Sequence, residues 1–464
     1  MRDARPCILG ISFDGVSISG VVNELATLTR LFNQRGFRVL VDLGFDITMA
    51  NVRDIAVGCL PPWAETLSCI AGELPTSYSK ITIEEAAALV RSGTPVTKVP
   101  KLERLSADLA ECLLDTFHRE DVRFLAVENG TLPDNPIFTE ALYLAINQYG
   151  SERDLGKFVL WRDHDLMWST EPHRYGSYPY SGVRKPTNNP YIRYAVLTEW
   201  MRLRMRAWAP DCDYSVFPNR FEILPQDKDI HRSFRSRYSI PSDALLIARC
   251  SRIIPPKCIE RDLRLLRSIQ DQLEALGDAR KIYLFVTGPI SEDPLEFQRL
   301  RAIEGALALD GQVIWGNGLY PFNSSLAAGQ NSEGKPSIRD LLEESDLCSF
   351  LTSYDYEGFG NPPGEAMASG VPFIATTYQL YEEVYGGKGA VAPLLPIDRS
   401  SLPTDPLPQP FLSWTLRALI DQEYRRQIRD RNREVCQRFY SLSSLKQQVE
   451  ELFAPEVLNP DNPL

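Results

Sequence analysis

Short apolar runs alternate with segments of helical periodicity from the beginning of the chain. Residues 8–13 are an apolar run of strand length, and in residues 21–33 the apolar positions recur every three or four residues, the spacing of one helix face. Gly36 ends this helix, and residues 37–41 form the next apolar run. A strand, a helix and a second strand in this order predict the start of a parallel sheet with helices on its faces.

The same alternation extends over most of the chain, so the predicted fold class is α/β. Further strands are predicted at 123–127, 157–161, 194–198, 214–217, 245–251, 282–286, 313–316 and 373–376. Further helices are predicted at 82–91, 101–117, 199–208, 259–276, 338–343 and 442–453, and from residue 412 onwards. Residues 46–101 fit the alternation least. We expect a helical elaboration there, which packing explains more simply than a role at an acceptor site.

Length and composition restrict the class of protein. A chain of 464 residues is long enough for two or three domains. Its net charge of −11 argues against a nucleic-acid partner, because nucleic-acid binders usually carry a basic face. No apolar run approaches the ~18 residues of a membrane span, and the first apolar run is too short for the core of a signal peptide. The nine cysteines include no C-x-x-C pair, so we expect reduced thiols in the cytoplasm.

The most informative stretch, residues 353–377, reads S-Y-D-Y-E-G-F-G-N-P-P-G-E-A-M-A-S-G-V-P-F-I-A-T-T. An apolar run at 349–352 precedes it and can end a buried strand. The prolines at 362 and 363 suit the first turn of a helix, which Gly370 then ends. The glycines before that helix allow the backbone to approach a ligand closely. A glycine-rich loop at a helix N-terminus is a place where anions bind.

Two carboxylates, Glu357 and Glu365, bracket this loop with seven residues between them. A carboxylate can accept from two hydroxyl groups at once, which suits a ribose or a hexose. Each acid alone has a simpler explanation: Glu357 as a solvated loop residue, and Glu365 as compensation for the helix dipole. The pattern around them decides between these interpretations.

The stretch resembles the E-x7-E motif of retaining glycosyltransferases with the GT-B fold, the large family 4. This resemblance implies two Rossmann-like parallel-sheet lobes that face each other across a cleft. We expect an acceptor-side lobe at 1–220, a nucleotide-sugar-binding lobe at 221–435, and a C-terminal helix at 436–464 that crosses back to the first lobe. In this family the first glutamate faces the donor sugar and the second holds the ribose, which places these roles on Glu357 and Glu365. The backbone of Gly358, Phe359, Gly360 and Asn361 would then reach the sugar and diphosphate.

A second segment, S-R-I-I-P-P-K-C at 251–258, resembles the family's G-R-x4-K-G motif. The family's Arg and Lys neutralise the donor diphosphate, and Arg252 and Lys257 have the same spacing. Fixed cations suit this reaction, because the leaving group gains charge as the glycosidic bond breaks. The alternative is two ordinary surface cations. Ser251 and Cys258 stand where the family has glycine.

The first lobe contains weaker matches. Gly15 and Ser17 follow the first strand where the family has a Gly-Gly loop that contacts the diphosphate; a plain tight turn is the alternative. His164 and Asp165 follow a predicted strand and resemble the family's H-D pair, whose His touches the donor hexose; a histidine packed in a loop is the alternative.

Polar residues also follow the strand at 123–127. Ligands of open α/β sheets bind at the carboxyl ends of the strands, so Glu128 and Asn129 border either an acceptor or a simple turn. With Asp165, they are the predicted acceptor-side residues.

Three D-x-D patterns, at 163–165, 211–213 and 227–229, raise the question of a metal. A Mg²⁺ or Mn²⁺ site needs carboxylates together with donor phosphates. Because the pattern occurs three times in this chain, it is weak evidence for a metal site. Arg252 and Lys257 can also supply the positive charge of a metal. We therefore predict metal-independent chemistry with no bound cofactor.

The predicted function is transfer of a hexose from a UDP-, GDP- or ADP-sugar to a hydroxyl of a carbohydrate or a small acceptor, with retention of configuration. A sugar phosphorylase or nucleotide-sugar epimerase of the same fold, and a non-catalytic sugar-nucleotide-binding subunit, are the alternatives.

Overall fold

A computed structural model describes residues 5–12, 20–42, 63–66, 75, 77–166, 181–223, 234–319 and 336–461. The chain divides into two compact units. The first unit consists of Met1–Asn219 with Ser443–Leu464, and the second of Arg220–Leu442. No helix in the described ranges is long and apolar enough to cross a membrane. No disulfide is formed by the cysteines within these ranges.

The first unit is built on a parallel sheet with the strand order β3-β2-β1-β4-β5-β6-β7. Its described strands are β1 Cys7–Ser12, β2 Arg38–Asp42, β3 Ala64–Thr66, β4 Val122–Glu128, β5 Val159–Asp163, β6 Ile192–Val196 and β7 Tyr214–Val216. Its described helices are α1 Gly20–Gln34, α2 Lys80–Arg91, α3 Pro100–Glu120, α4 Pro136–Glu152, α5 Glu199–Trp208, and, at the end of the chain, α14 Leu442–Leu452 and α15 Pro455–Leu458. Every residue of β1, β4 and β5 is buried, because helices cover both faces of a parallel sheet.

Strand register places polar groups together at the carboxyl edge of this sheet. Ser12 pairs with Glu128, and Glu128 pairs with Arg162 on the next strand. The predicted strand at 157–161 ends two residues later than expected, since β5 includes Arg162 and Asp163. These two charged residues are therefore part of the buried sheet and not of the loop that follows it.

Among the described residues, the second unit has a six-stranded parallel sheet with the order β10-β9-β8-β11-β12-β13. Its strands are β8 Leu245–Arg249, β9 Ile282–Val286, β10 Val313–Trp315, β11 Leu347–Phe350, β12 Phe373–Thr376 and β13 Leu394–Leu395. Its described helices are α6 Phe234–Arg237, α7 Ile259–Ala275, α8 Pro294–Ala306, α9 Ile338–Glu343, α10 Asn361–Ser369, α11 Tyr381–Val384, α12 Gln409–Ile420 and α13 Gln422–Phe439. Apolar side chains of β8, β9 and α7 form much of its core.

The prediction of two parallel-sheet halves is confirmed, and several elements were not predicted. Helix α4 is buried on almost all sides, so it has no polar face and no clear periodicity. Helix α13 is the opposite case: it buries Ile428, Val435 and Cys436 but carries so many charged residues that its apolar stripe is narrow. The short strand β13 lies between Pro393 and Pro396 and pairs with β12 at its two residues.

Candidate functional site

Helix α10 begins with a tightly constrained glycine. Gly360 caps its N-terminus with φ of 85°, a conformation that favours glycine. A Cβ at this position would lie 2.7 Å from a ring carbon of Phe350. Two buried tyrosines hold the loop, since Tyr378 donates to the Phe359 carbonyl and Tyr385 to the Gly360 carbonyl, both at 2.6 Å. The loop is therefore a rigid support for the N-terminus of α10, where the helix dipole favours an anion.

Glu365 is buried within α10. It is the fifth residue of the helix, beyond the first turn, so compensation of the helix dipole does not explain its position. Its role in holding a ribose stays a prediction.

Lys257 and Glu357 form an ion pair beside this loop. The Lys257 Nζ lies 2.6 Å from Glu357 Oε1, which also accepts from the Thr352 hydroxyl at 2.8 Å. Burial lowers the pKa of Lys257, and the adjacent Glu357 opposes that shift. The ammonium also lies 4.9 Å from the centre of the Tyr356 ring, which is within the range of a cation–π contact.

Arg252 approaches the same tyrosine from its hydroxyl end. Its Nη2 donates to the Tyr356 hydroxyl at 2.8 Å, and its Nη1 lies 3.0 Å from Glu292 Oε1. Burial raises the pKa of Glu292, although Arg252 and Lys257 oppose the shift. The structure thus brings together the two predicted cations and Glu357 around Tyr356. We call Arg252, Lys257, Tyr356 and Glu357 the cation cluster.

A buried arginine that sequence reasoning missed supports the segment carrying these cations. Arg249, at the end of β8, is fully buried, lies 3.0 Å from Asp262 and donates to the carbonyls of Ser349 and Lys257. Burial raises the pKa of Asp262, and Arg249 opposes that shift. A charged residue inside an otherwise apolar strand was the signal that could have identified it.

The residue after Lys257 has a backbone conformation that favours glycine, which is the residue at this position in the motif that the segment resembles. Cys258 has φ of 51°, in the left-handed region. It is buried, and it begins helix α7 without capping it by a side-chain hydrogen bond.

In the first unit, Glu128, Arg162, His164 and Glu24 form a second buried group, which we call the Glu128 cluster. Arg162 donates from Nε to Glu128 Oε2 at 2.8 Å and from Nη2 to Oε1 at 3.0 Å, and its Nη1 lies 3.7 Å from Glu24. The His164 Nε2 lies 2.6 Å from Glu128 Oε2. Burial alone would raise the pKa of Glu128, but Arg162 and His164 outweigh it and hold that pKa at about 2.

Asn129 fixes the backbone of the histidine segment. It has φ of 60°, and its Oδ1 accepts from the backbone N–H groups of His164 at 2.7 Å and Asp165 at 3.3 Å. Its Nδ2 donates to the Asp165 carboxylate at 3.2 Å. The predicted acceptor-side residues are therefore brought together with His164.

Both Glu128 and Asn129 are fully buried and engaged by these neighbours, so the geometry favours a supporting task for them over direct contact with an acceptor. Their predicted place beside an acceptor stays a prediction.

The other candidates give mixed outcomes. Gly15 and Ser17 lie outside the described residues, as does the D-x-D pattern at 227–229. In the pattern at 163–165, Asp163 accepts from the backbone and hydroxyl of Thr131, and burial raises its pKa to about 7. Within the ranges that the structure describes, no group of three His, Cys, Asp or Glu side chains could hold a metal ion.

The fold is shared with glycosyltransferases of known structure. A glycosyltransferase from Rickettsia africae superposes with a TM-score of 0.56 and 13% identity over 98% of this chain and 99% of that chain. Sucrose-phosphate synthase from Thermosynechococcus elongatus gives 0.59 and 14% over 97% and 98%. HepE from Anabaena, solved in complex with UDP-glucose, gives 0.57 and 13% over 96% and 98%.

At these identities the similarity shows the fold alone, which is the GT-B architecture of two Rossmann-like parallel sheets with helices. No protein-family model and no curated protein sequence matches the chain.

Proposed function

We propose that the protein is a retaining glycosyltransferase that moves a hexose from a nucleoside diphosphate sugar to an acceptor hydroxyl. The observation that carries this proposal is the cation cluster: Arg252 and Lys257 meet at Tyr356, and Glu357 touches Lys257. Cations fixed in this way can stabilise the charge that develops on a departing diphosphate. The GT-B fold supports the proposal, because the neighbours are glycosyltransferases by description.

The roles of the residues follow the resemblance of their motifs. Arg252 and Lys257 would hold the leaving diphosphate, and Glu365 would hold the ribose. Glu357 and His164 would contact the hexose, and the N-terminus of α10, with the backbone of the loop before it, would contribute to binding the diphosphate. The acceptor oxygen would bond to the sugar carbon on the face from which the diphosphate departs, and a phosphate oxygen of the leaving diphosphate would take the acceptor's proton. Retention then requires no carboxylate nucleophile.

Two further properties belong to the proposal. The guanidinium of Arg252 and the ammonium of Lys257 would supply the positive charge that a metal would otherwise provide, so we propose metal-independent transfer. None of the described cysteines is in a disulfide, and we also propose that the protein is cytoplasmic, since thiols stay reduced in that compartment.

A thermal-shift panel with UDP, GDP, ADP and their glucose conjugates, each in EDTA, tests the donor site. A ligand at ~100 times its dissociation constant that binds only the folded state adds about 2.7 kcal/mol to the free energy of unfolding. We expect UDP and UDP-glucose to stabilise the protein, since HepE is described in complex with UDP-glucose. We expect Glu365→Gln to weaken this binding about 10-fold or more, the value of a hydrogen bond to a charged group.

The outcomes separate the alternatives. Stabilisation by no nucleotide, with or without Mg²⁺, would refute a nucleotide-sugar enzyme. Turnover that requires inorganic phosphate would indicate a phosphorylase, and conversion of the donor without an acceptor would indicate an epimerase. Binding without turnover of any donor, over a panel of hydroxylated acceptors, would indicate a binding subunit.

A further inference from the structure

The position of the proton on His164 follows from the Glu128 cluster. With a pKa of about 2, the Glu128 carboxylate is ionised near neutral pH and can only accept hydrogen bonds. The contact of 2.6 Å with His164 Nε2 therefore requires that this nitrogen carries a hydrogen. When the ring is neutral, Nδ1 is then the nitrogen with a free lone pair.

The neutral ring is the form that the surroundings favour. Burial and the nearby Arg162 lower the pKa of His164, and these effects outweigh the opposing influence of Glu128 and Asp165. Arg162 cannot turn away from Glu128 without leaving its own charge unpaired in the sheet, where it is almost fully buried. The carboxylate is thus locked in place by Arg162 and in turn holds the ring.

The backbone of the histidine segment is held independently. Asn129 binds the N–H groups of His164 and Asp165 through one oxygen, and it does so from a left-handed conformation that other side chains rarely adopt. The histidine is therefore fixed both at its backbone and at its ring. Such double support is expected of a group that must point in one direction, and a histidine that only fills space does not need it.

We propose that Glu128 is a positioning residue that fixes His164 as the Nε2–H tautomer, so that Nδ1 accepts a hydrogen bond from a hydroxyl of the transferred sugar. This inference rests on the proposed function.

The tautomer can be measured on the free protein. The chain has only four histidines, so long-range ¹H–¹⁵N correlation spectra of histidine-labelled protein contain few ring signals, and loss of one set in His164→Asn assigns it. We expect His164 to show the Nε2–H pattern. An Nδ1–H pattern in the wild-type protein would overturn the proposal without any reference to activity, and would leave the proposed function standing.

Kinetics test whether Glu128 acts through the histidine. Glu128→Gln keeps the shape of the side chain but removes its charge, and we expect it to lower kcat about 10-fold or more while leaving the dissociation constant of UDP unchanged. The matched control is Glu120→Gln, which alters the Arg38–Glu120 ion pair, 2.7 Å long, near the start of β2 and β4, and should leave kcat unchanged. Equal kcat in the Glu128→Gln and wild-type proteins would overturn the positioning role.

Substitutions of the histidine test which ring nitrogen meets the sugar. The side-chain oxygen of Asn can occupy the place of Nδ1, and that of Gln the place of Nε2. We expect His164→Asn to retain about 10-fold more activity than His164→Gln, the value of one hydrogen bond. The reverse order would overturn the assignment of Nδ1.

If no nucleotide sugar is turned over but His164 shows the Nε2–H tautomer, the proposed function and the sugar contact are overturned. The positioning of the His164 ring by Glu128 would still stand.

Discussion

Lys257 and Glu357 lie 100 positions apart in the sequence and meet at 2.6 Å, with 13% and 9% of their side chains exposed. A pair with so little exposure is sensitive to the loss of one partner, because the other charge is then left nearly buried and uncompensated. The pair therefore combines a structural task, joining the segment after β8 to the loop before α10, with the proposed chemical task of binding the diphosphate.

These two tasks can be separated by mutation. Lys257→Ala should lower kcat by roughly 10² to 10³, comparable with the loss of one transition-state hydrogen-bond donor, and should also lower Tm. The double variant Lys257→Met with Glu357→Leu should recover stability, since apolar groups can replace a buried ion pair, but should not recover activity.

The control for this pair is Arg267→Ala, which removes a surface partner of Asp271 and should change neither kcat nor Tm. Unchanged kcat in Lys257→Ala would refute the role of Lys257 at the diphosphate.

If Arg252 binds the donor diphosphate as proposed, Glu292 competes with the donor for its guanidinium. The two groups are 3.0 Å apart and 25% and 37% exposed, so their interaction is worth about 0.2–1 kcal/mol. Glu292→Gln should therefore strengthen the binding of UDP-glucose up to about five-fold, as measured by titration calorimetry.

Because burial raises the pKa of Glu292, the wild-type protein should approach the affinity of the variant as the pH falls through that pKa. Glu274→Gln, at an exposed position on α7, is the control that should not change affinity at any pH. Weaker binding by Glu292→Gln would show that this carboxylate assists the donor.

Local signals account for the elements that sequence analysis predicted well. Ser337 and Asp340 form a capping box at the start of α9, and Gly370 ends α10 in a left-handed conformation, so both boundaries follow from a few adjacent residues. Helix α5 and strand β9 were likewise predicted with their observed bounds, since each has the periodicity of its own class.

Long-range pairing accounts for what sequence analysis missed. The sequence predicted Glu128 and His164 as separate loop residues. Nothing in the sequence pattern reveals that the Glu128 carboxylate, 36 positions earlier, is hydrogen-bonded to the His164 ring. Arg162 and Arg249 were missed as buried supports for the same reason: their partners come from other strands or helices. Candidates for the chemistry could be predicted from motif spacing, but the buried groups that hold these candidates could not.

Gly364, inside the E-x7-E motif, is required by packing. A Cβ at this position would lie 2.0 Å from a ring carbon of Phe221, and the ring is fully buried. Gly364→Ala should therefore destabilise the protein by about 1–3 kcal/mol, the usual penalty for overpacking, and should weaken UDP binding because α10 must shift.

The matched control is Gly305→Ala in helix α8, where nothing lies within 4 Å of the added carbon. That variant should gain about 0.5–1 kcal/mol from the better helix propensity of alanine. Chemical denaturation measures both, and equal stabilities for the two variants would contradict the packing argument.

The buried carboxyl group of Asp163 should make stability depend on pH. Burial raises its pKa to about 7 in the folded protein, against about 3.9 in an unfolded chain. Below pH 4 both states are protonated, so the full stability is present. Between pH 4 and 7 the unfolded state ionises first, and the free energy of unfolding falls as the pH rises.

Asp163→Asn cannot ionise, so its stability relative to the wild type should increase across this window by up to about 4 kcal/mol. Urea denaturation at pH 4.5 and pH 8 measures the difference, in which the other carboxylates cancel. Asp108→Asn, at an exposed position on α3, should show a constant difference. A constant difference for Asp163→Asn as well would mean that Asp163 is ionised throughout and that its hydrogen bonds from Thr131 offset its burial.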